Sequence, residues 1–301
     1  MSVAQRSELR LGGSEIPALL GLDPYVSAYA LACRKLGVSG EPLPSPAALM
    51  GNHLQAVHAE LVADAGYTVM PAPDDGIAHP ELPWLVGHPD AFVVLGDQNY
   101  TERAPLELKL RGLAPSEPMR MRDTVQALVY AELCGSTQAM ISELHGGYGG
   151  IVRDEWIVEA DAALFALVVE RCEEFLSLIR RGKCPAPDGS ESARDAIRAR
   201  FTGLGDKRVR LSRAGWEHLK KVRELDEMLA AAKVQRERYA QLVQDEMGDA
   251  VEAISPHDTL VARWKPVTST RIDTTALKAQ RPEIAEEYAK VTTTRRFEAN
   301  P

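Results

Sequence analysis

The segment Leu106–Leu110 combines an alternating apolar pattern with a carboxylate and an ammonium group. Successive side chains of a β-strand point to opposite faces, so the leucines are predicted to enter a core while Glu107 and Lys109 share the other face. Asp90 falls on the predicted strand before. Two carboxylates and the carbonyl oxygen of Leu108 are ligands of the kind that Mg²⁺ prefers, and a lysine beside them can orient a water or neutralise developing charge. This set predicts metal-assisted cleavage of phosphodiester bonds.

A second interpretation of the same segment is an ordinary amphipathic surface strand, because a tripeptide of this kind often occurs by chance. Asp90 then only begins a turn after Pro89, and Lys109 pairs with Glu107 in solvent. Such an exposed pair stabilises a protein by about 0–1 kcal/mol and has no role in catalysis. The surrounding elements have to decide between the two interpretations.

Predicted helices and strands alternate around this segment. A helix is predicted from Ser45 to about Gly66, with Gln55 and His58 three residues apart on one face. Strand-like patterns follow over residues 91–95 and 105–110. The order of elements indicates an α/β core.

Two further helices are predicted beyond these strands. The first, over residues 124–134, places Gln126 and Tyr130 one turn apart on one face. The second begins after Asp161 and ends at Gly182. Gln126 and Tyr130 are therefore candidates to support the site, although a tyrosine on such a helix can also be a core residue.

The run Pro185–Gly189 is a predicted domain boundary. Residues 1–190 are predicted to form the core, and residues 191–301 a mainly helical C-terminal extension with a β-hairpin. The basic stretch 198–223 near the start of this extension can be a DNA surface or a solvated helix face.

Composition narrows the class of protein. The 301 residues include 45% hydrophobic and 26% charged residues, and no stretch approaches the roughly 20 apolar residues of a membrane span. The four cysteines are scattered, which disfavours an iron–sulfur cluster or structural zinc. We expect a cytoplasmic protein with no membrane partner. The net charge of −8 weakens the expectation of a nucleic-acid partner without excluding it, since a groove can be locally basic.

Several short segments follow one another in an order that resembles the YqaJ group of phage-type recombinases, the alkaline exonucleases related to lambda exonuclease. The segments that carry the resemblance are Gly13–Ile16, Leu20–Tyr25, Gly51–Gln55, Pro89–Asp90, Leu106–Lys109, Gln126–Tyr130 and Arg181–Asp188. Each is weak alone, but they occur in the family's order, and with similar segments as far as Arg296–Phe297 the resemblance extends over most of the chain.

The resemblance implies a PD-(D/E)XK restriction-endonuclease-like core, with a central mixed sheet flanked by helices. It implies a Mg²⁺-dependent exonuclease, in which Mn²⁺ can substitute, acting from the 5′ end on linear double-stranded DNA during phage or prophage recombination in a bacterial cell. A ring-shaped homo-oligomer and a single-strand annealing protein would be its partners.

The resemblance also assigns roles to individual residues. Asp90 and Glu107 correspond to the metal-binding carboxylates and Lys109 to the catalytic lysine, while Gln126 and Tyr130 support the site. The terminal 5′ phosphate would be bound by Ser14 and by Arg10 or Arg6.

One departure from the family pattern concerns the metal site. Gln55 stands where the family carries a glutamate, and a neutral amide is a weaker ligand, although its oxygen can still coordinate. His58 on the same face could compensate. Two alternatives therefore stay open: a non-cleaving protein that binds DNA ends on the same fold, and an endonuclease on that fold.

Overall fold

The computed structural model describes residues 9–40, 46–96, 101–112, 117–147, 150–203, 208–291 and 295–299. The chain divides into two compact units, residues 1–202 and 203–301. Within the described residues, no helix is long and apolar enough to span a membrane.

The described part of the first unit contains strands, α-helices and one short 3₁₀ helix. The strands are β1 (Leu11–Gly12), β2 (Val69–Pro71), β3 (Ile77–Ala78), β4 (Leu85–Gly87), β5 (Ala91–Gly96), β6 (Thr101–Arg111), β7 (Gln138–Gly147) and β8 (Gly150–Glu159). The α-helices are α1 (Ile16–Leu19), α2 (Ala28–Lys35), α3 (Pro46–Asp64), α4 (Glu117–Cys134), α5 (Ala162–Arg180) and α6 (Glu191–Arg200), and the 3₁₀ helix is Gly13–Glu15.

A mixed five-stranded sheet forms the centre of this unit, with strand order β2-β5-β6-β7-β8. Strands β6 and β7 run parallel, whereas the other neighbours run antiparallel. Parallel neighbours require a crossover connection, which helix α4 provides here. Strand β6, which carries the candidate residues, is therefore the middle strand and has a partner on each side.

Helices α3 and α4 cover the two faces of this sheet. On one face, Val62 of α3 packs in a buried cluster with Leu106. On the other face, Leu128 of α4 packs with Ile141 of β7. The predicted α/β class, with a central mixed sheet flanked by helices, is confirmed. Leu106 is fully buried as predicted, while Leu108 and Leu110 are only partly buried.

A small three-stranded sheet brings the N-terminal segment close to α4. Strand β1 pairs in parallel with β4, and β4 pairs antiparallel with β3. The turn after β1 is fixed by Glu15, whose carboxylate accepts a hydrogen bond from the Gly12 N–H at 2.9 Å and one from Lys35 at 2.7 Å. These contacts hold Gly13 and Ser14 beside β4 and helix α4.

Helix α3 matches the predicted helix closely in extent, but its stripe of periodic apolar side chains is mostly exposed. Of its periodic apolar side chains, only Val62 is buried, whereas the others are 39–58% exposed. His58, which lies off that apolar stripe, is buried. The exposed members are Leu49, Met50, Leu54, Val57 and Leu61.

The second unit consists of a long helix, a hairpin and two short helices. Its elements are α7 (Arg213–Met247), β9 (Glu252–Ile254), β10 (Leu260–Arg263), α8 (Thr274–Gln280) and α9 (Pro282–Glu287). Ser212 caps α7, and its hydroxyl accepts a hydrogen bond from the Gly215 N–H at 3.1 Å. A helical C-terminal extension with a hairpin is what the sequence predicts.

The boundary between the units lies later than the sequence predicts. Helix α6 follows the predicted boundary at residue 190 but is part of the first unit. Its Ala193 and Ala196 pack in a buried cluster with Tyr29 and Cys33 of α2. The Pro185–Gly189 run is therefore a connection within the first unit, because burial of small residues ties the next helix to the core.

Candidate active site

Asp90 lies directly before β5, where two other elements bind its carboxylate. The Leu108 N–H donates to Oδ2 and the Gln55 side-chain amide donates to Oδ1, each at 2.8 Å. The antiparallel register places Ala91 opposite Leu106, and this brings Asp90 beside Glu107. Burial raises the pKa of Asp90, against the opposing effects of the Leu108 hydrogen bond and of Lys109.

Glu107, Lys109 and Gln126 form one hydrogen-bonded network. Lys109 Nζ donates to Glu107 Oε1 at 2.5 Å and to Gln126 Oε1 at 3.1 Å. The Gln126 amide donates to the same Glu107 oxygen at 2.8 Å. Burial raises the pKa of Glu107 to about 7, although the neighbouring Lys109 ammonium lowers it. The two charged groups share a strand face as predicted, but this face is buried, so the surface-strand interpretation is wrong.

Tyr130 closes the network on the side of the N-terminal segment. Its hydroxyl lies 3.4 Å from the Gln126 amide and hydrogen bonds to the backbone of His88, and burial raises its pKa. The ring is confined by two glycines, because a Cβ added at Gly13 or Gly87 would lie 2.4 or 2.7 Å from Tyr130 Cε1. No side chain larger than hydrogen fits at either position without displacing the ring.

A second group of charges lies behind Lys109 and was missed at the sequence level. Asp123 is fully buried, with Oδ1 4.0 Å from Lys109 Nζ. Its carboxylate accepts hydrogen bonds from Arg111 and, at 3.1 Å, from Arg122. The Asp123 carboxylate therefore accepts hydrogen bonds from two guanidinium groups and also lies next to the Lys109 ammonium of the candidate site.

Arg111 extends this group to the neighbouring strand by donating to Glu143 at 2.8 Å. Two signals were present in the sequence: Arg111 follows Lys109 by two residues, and Asp123 precedes Gln126 by three, so each shares a face with a candidate. Glu143 carries no such signal, because its place opposite Lys109 depends on the register of β6 with β7.

Two cavities meet at Asp90. The smaller, about 230 Å³, is lined by Ser14 and His88 together with Asp90, Glu107 and Tyr130. Ser14 therefore lines the same cavity as the two carboxylates, and its contact with a terminal phosphate stays a prediction. Arg10 is exposed and is not among the described residues around this cavity, and Arg6 lies outside the described residues.

The larger cavity, about 380 Å³, lies on the other side of Asp90. It is lined by Gln55 and Lys109, and by the two arginines Arg111 and Arg122. A cleft lined by three cationic side chains together with the Asp90 carboxylate suits a phosphate-bearing substrate.

The oxygen atoms available at this site are ligands of the kind that a hard divalent cation prefers. Glu107 Oε2 is buried and has no hydrogen-bond partner among the described residues, which leaves an acceptor without a donor. Each carboxylate oxygen of Asp90 accepts one hydrogen bond and keeps a second lone pair. Asp90, Glu107 and the Leu108 carbonyl could hold the ion, although no three His, Cys, Asp or Glu side chains of the described chain converge as a metal site.

The two other candidates on helix α3 differ in position. Gln55 lies at the carboxylates, but in the structure it presents its amide N–H to Asp90 rather than its oxygen. His58 instead pairs with Ser142 of β7 at 3.0 Å. His58 also lines the larger cavity with Gln55 and Asp90, so its compensation for Gln55 stays a prediction.

Comparison with known proteins matches this chain to one curated sequence over nearly its whole length. It is 27% identical to YqaJ of Bacillus subtilis (strain 168), described as an uncharacterized protein, over 297 residues that cover 95% of this chain and 90% of YqaJ. The predicted resemblance to YqaJ is confirmed. No protein-family model matches the chain.

Solved structures similar to this chain include two exonucleases. An alkaline exonuclease from Laribacter hongkongensis matches at 16% identity and a TM-score of 0.41, covering 58% of this chain and 91% of that one. A phage-related exonuclease from Haemophilus somnus 129PT matches at 11% identity and a TM-score of 0.45, covering 58% and 95%.

Proposed function

We propose that this protein is a Mg²⁺-dependent exonuclease that degrades linear double-stranded DNA from the 5′ end, on a PD-(D/E)XK core, in phage-type recombination. The observation that carries the proposal is the buried contact of Lys109 with Glu107, beside Asp90 and the unpartnered oxygen of Glu107. Two carboxylates and a lysine at this spacing are the groups that the chemistry needs. The motif resemblance supports the choice of an exonuclease.

Burial of an ion pair favours a catalytic role over a stabilising one. Removing two charges from water costs several kcal/mol per ion, and the attraction between them often fails to repay it. A buried carboxylate with a pKa raised to about 7 and an unsatisfied oxygen is poorly explained by stability alone. The same features suit a site completed by cation and substrate.

The chain's own residues divide the work of hydrolysis between them. Asp90, Glu107 and the Leu108 carbonyl would hold the cation, which supplies Lewis-acid stabilisation of the phosphoryl oxygens when bound. Lys109 would orient the attacking water and neutralise charge on the phosphorane-like transition state. Gln126 fixes the lysine and Glu107 relative to each other through its side-chain amide, whose oxygen accepts a hydrogen bond from Lys109 and whose N–H donates one to Glu107. Tyr130 and the β1 segment close the smaller cavity, where Ser14 would contact the terminal phosphate.

The test is an assay on linear duplex labelled at either end, with and without Mg²⁺ or Mn²⁺. We expect metal-dependent release of nucleotides from the 5′ end and little action on closed circular DNA. Intact linear duplex under all these conditions would exclude the proposal. Cleavage of circles at comparable rates would indicate the endonuclease alternative instead.

A second candidate function is a non-cleaving protein that binds DNA ends, and the position of Gln55 favours it. The amide N–H of Gln55 donates a hydrogen bond to Asp90 Oδ1. A glutamate at position 55 could not donate this bond and would leave Oδ1 available to the cation. A half-turn of the amide would present its oxygen instead.

The variant Gln55→Glu separates the two functions. If the protein is an exonuclease, the native chain cleaves and the variant binds Mg²⁺ more tightly by calorimetry, because a carboxylate replaces a neutral ligand. If the protein only binds ends, the native chain leaves the duplex intact and the variant gains cleavage. Gln55→Leu is the matched control, since it removes the polar group at similar size.

A further inference from the structure

Charge is distributed unequally between the two units. Residues 1–202 carry 17 lysines and arginines against 27 aspartates and glutamates, whereas residues 203–301 carry 18 against 16. The unit that holds the candidate site thus has a net charge of −10, and the C-terminal unit has +2. DNA binding depends largely on cations that neutralise phosphates, so an acidic catalytic unit gains from basic groups elsewhere in the chain.

The positive charge of the C-terminal unit is concentrated at its start. The segment 208–223, here called the basic segment, has six cationic residues and one acidic residue, Glu217. The cations are Arg208, Arg210, Arg213, Lys220, Lys221 and Arg223. Local concentration of one sign of charge attracts a polyanion even when the whole protein is acidic.

The first three arginines of the basic segment are placed to reach one stretch of backbone. Arg208, Arg210 and Arg213 are all exposed, and none has an ion pair with a carboxylate among the described residues. Residues 208–211 form neither helix nor strand, and the five peptide units from Arg208 to Arg213 span at most about 18 Å of chain. Their guanidinium groups can therefore contact phosphates close together on one strand.

The lysines of the same segment differ from these arginines. Lys220 pairs with Glu217 at 2.6 Å and Lys221 with Glu224 at 2.8 Å on the exposed face of α7. Trp216 lies among them, 46% exposed, with the Arg223 guanidinium 5.6 Å from its ring centroid. An exposed aromatic ring beside arginines is common on nucleic-acid-binding surfaces.

We propose that Arg208, Arg210 and Arg213 form a second DNA-contacting surface that binds the phosphate backbone outside the active site. The inference rests on the proposed function for the identity of the ligand as DNA. The contact is independent of base sequence, because guanidinium groups on phosphates carry no sequence information. This contact raises the affinity of the protein for duplex DNA, whereas the catalytic residues all belong to the first unit.

The test measures binding of the full-length protein to a short blunt duplex by fluorescence anisotropy over a series of NaCl concentrations. EDTA is present, so that no cleavage occurs and binding is read separately from nuclease activity. The triple variant Arg208→Gln, Arg210→Gln, Arg213→Gln should bind at least about tenfold more weakly at low salt. Its slope of log affinity against log salt should become shallower by about 0.9 per arginine, roughly 2–3 in total.

The matched control removes three exposed arginines that already have carboxylate partners. Arg171, Arg194 and Arg281 pair with Glu174, Glu191 and Glu283, and their replacement by Gln changes the net charge by the same amount. We expect the control to retain the native slope. An equal effect in the control, or a native slope in the test variant, would overturn the proposal.

The remaining outcomes are also decisive. If sedimentation shows that the test variant changes oligomeric state while its DNA slope stays native, the basic segment is a contact between copies of the chain and the proposal is wrong. If the native protein cleaves no DNA but the slope falls as expected, the proposed nuclease activity fails and the binding surface stands.

Discussion

At the residue scale, the buried Lys109–Glu107 contact gives the site its chemical character. Both Lys109 and Gln126 bind the same oxygen of Glu107, which leaves the other oxygen without a donor among the described residues. Asp90 is held in place by the backbone N–H of Leu108, which lies on β6 between Glu107 and Lys109. Hydrogen bonds therefore hold these side chains in one geometry, which is the preorganisation that electrostatic catalysis requires.

Replacement of Lys109 by alanine should abolish turnover while leaving duplex binding nearly unchanged. The reason is that the ammonium acts on the water and the developing charge, whereas the larger cavity keeps Arg111 and Arg122. We expect a loss of at least about 10²-fold in kcat, as for removal of other groups that stabilise a transition state. Single-turnover cleavage and anisotropy in EDTA measure the two effects separately, and near-native turnover would refute the assigned role.

His58 should make stability depend on pH in a defined window. Burial, with a smaller contribution from Arg153, lowers the pKa of His58 from 6.5 to about 4. The unfolded chain then binds the proton more readily, so this contribution is present above about pH 6.5 and is lost as pH falls towards 4, at up to about 1.4 kcal/mol per pH unit. Denaturant unfolding of the native chain and of His58→Gln at several pH values measures this contribution. Equal slopes of the free energy of unfolding against pH in both proteins would show that His58 is not its source.

How much the sequence predicts is visible in these same residues. Alternation along 106–110 correctly places Glu107 and Lys109 on one face, because the period of a strand is local information. Periodicity in α3 groups the right residues but does not say which side faces the core, and the packing of His58 against Ser142 decides it. The contact of Arg111 with Glu143 depends on strand register, which no local pattern reveals.

At the scale of elements, the site depends on close approach of β1 and β4 to α4. Gly13 and Gly87 allow the Tyr130 ring to lie between the two short strands and the helix. Gly13 belongs to a segment that carries the family resemblance, but only the fold shows that the absence of a side chain there makes room for a ring far away in sequence.

Gly13→Ala should therefore weaken both stability and activity. The added methyl group would lie 2.4 Å from Tyr130 Cε1, so the ring has to move, at a typical overpacking cost of about 1–3 kcal/mol. Gly51→Ala is the matched control for stability alone, since that helical position lines the larger cavity but has nothing within 4 Å and should gain about 0.5–1 kcal/mol. Chemical denaturation of both variants and kcat of Gly13→Ala test this, and a Gly13→Ala variant as stable and active as the native chain would show that the ring is not confined.

At the scale of the whole molecule, the division of the chain separates the candidate chemistry from the basic segment. All candidate catalytic groups lie within residues 1–202, and the basic segment lies beyond them. The boundary at 202 rather than 190 matters, because helix α6 covers Tyr29 and Cys33.

Truncated chains ending at residue 202 and at residue 190 should differ in stability. The longer one keeps Ala193 and Ala196 against α2, while the shorter one exposes Tyr29 and Cys33 to water. Apolar burial is worth about 25 cal/mol per Å², so we expect a loss of a few kcal/mol and a lower Tm for the shorter chain. Calorimetry on the two chains decides the point, and equal Tm values would place the boundary at 190.

Because β6 is the middle strand, its amides should be among the slowest in the protein to exchange with deuterium. Partners on both sides and helices on both faces mean that opening β6 approaches global unfolding, whereas helix ends and the hairpin can open separately. On warming, the geometry around Glu107 and Lys109 should persist until the first unit melts. Inactivation and cooperative unfolding of that unit would then follow one curve.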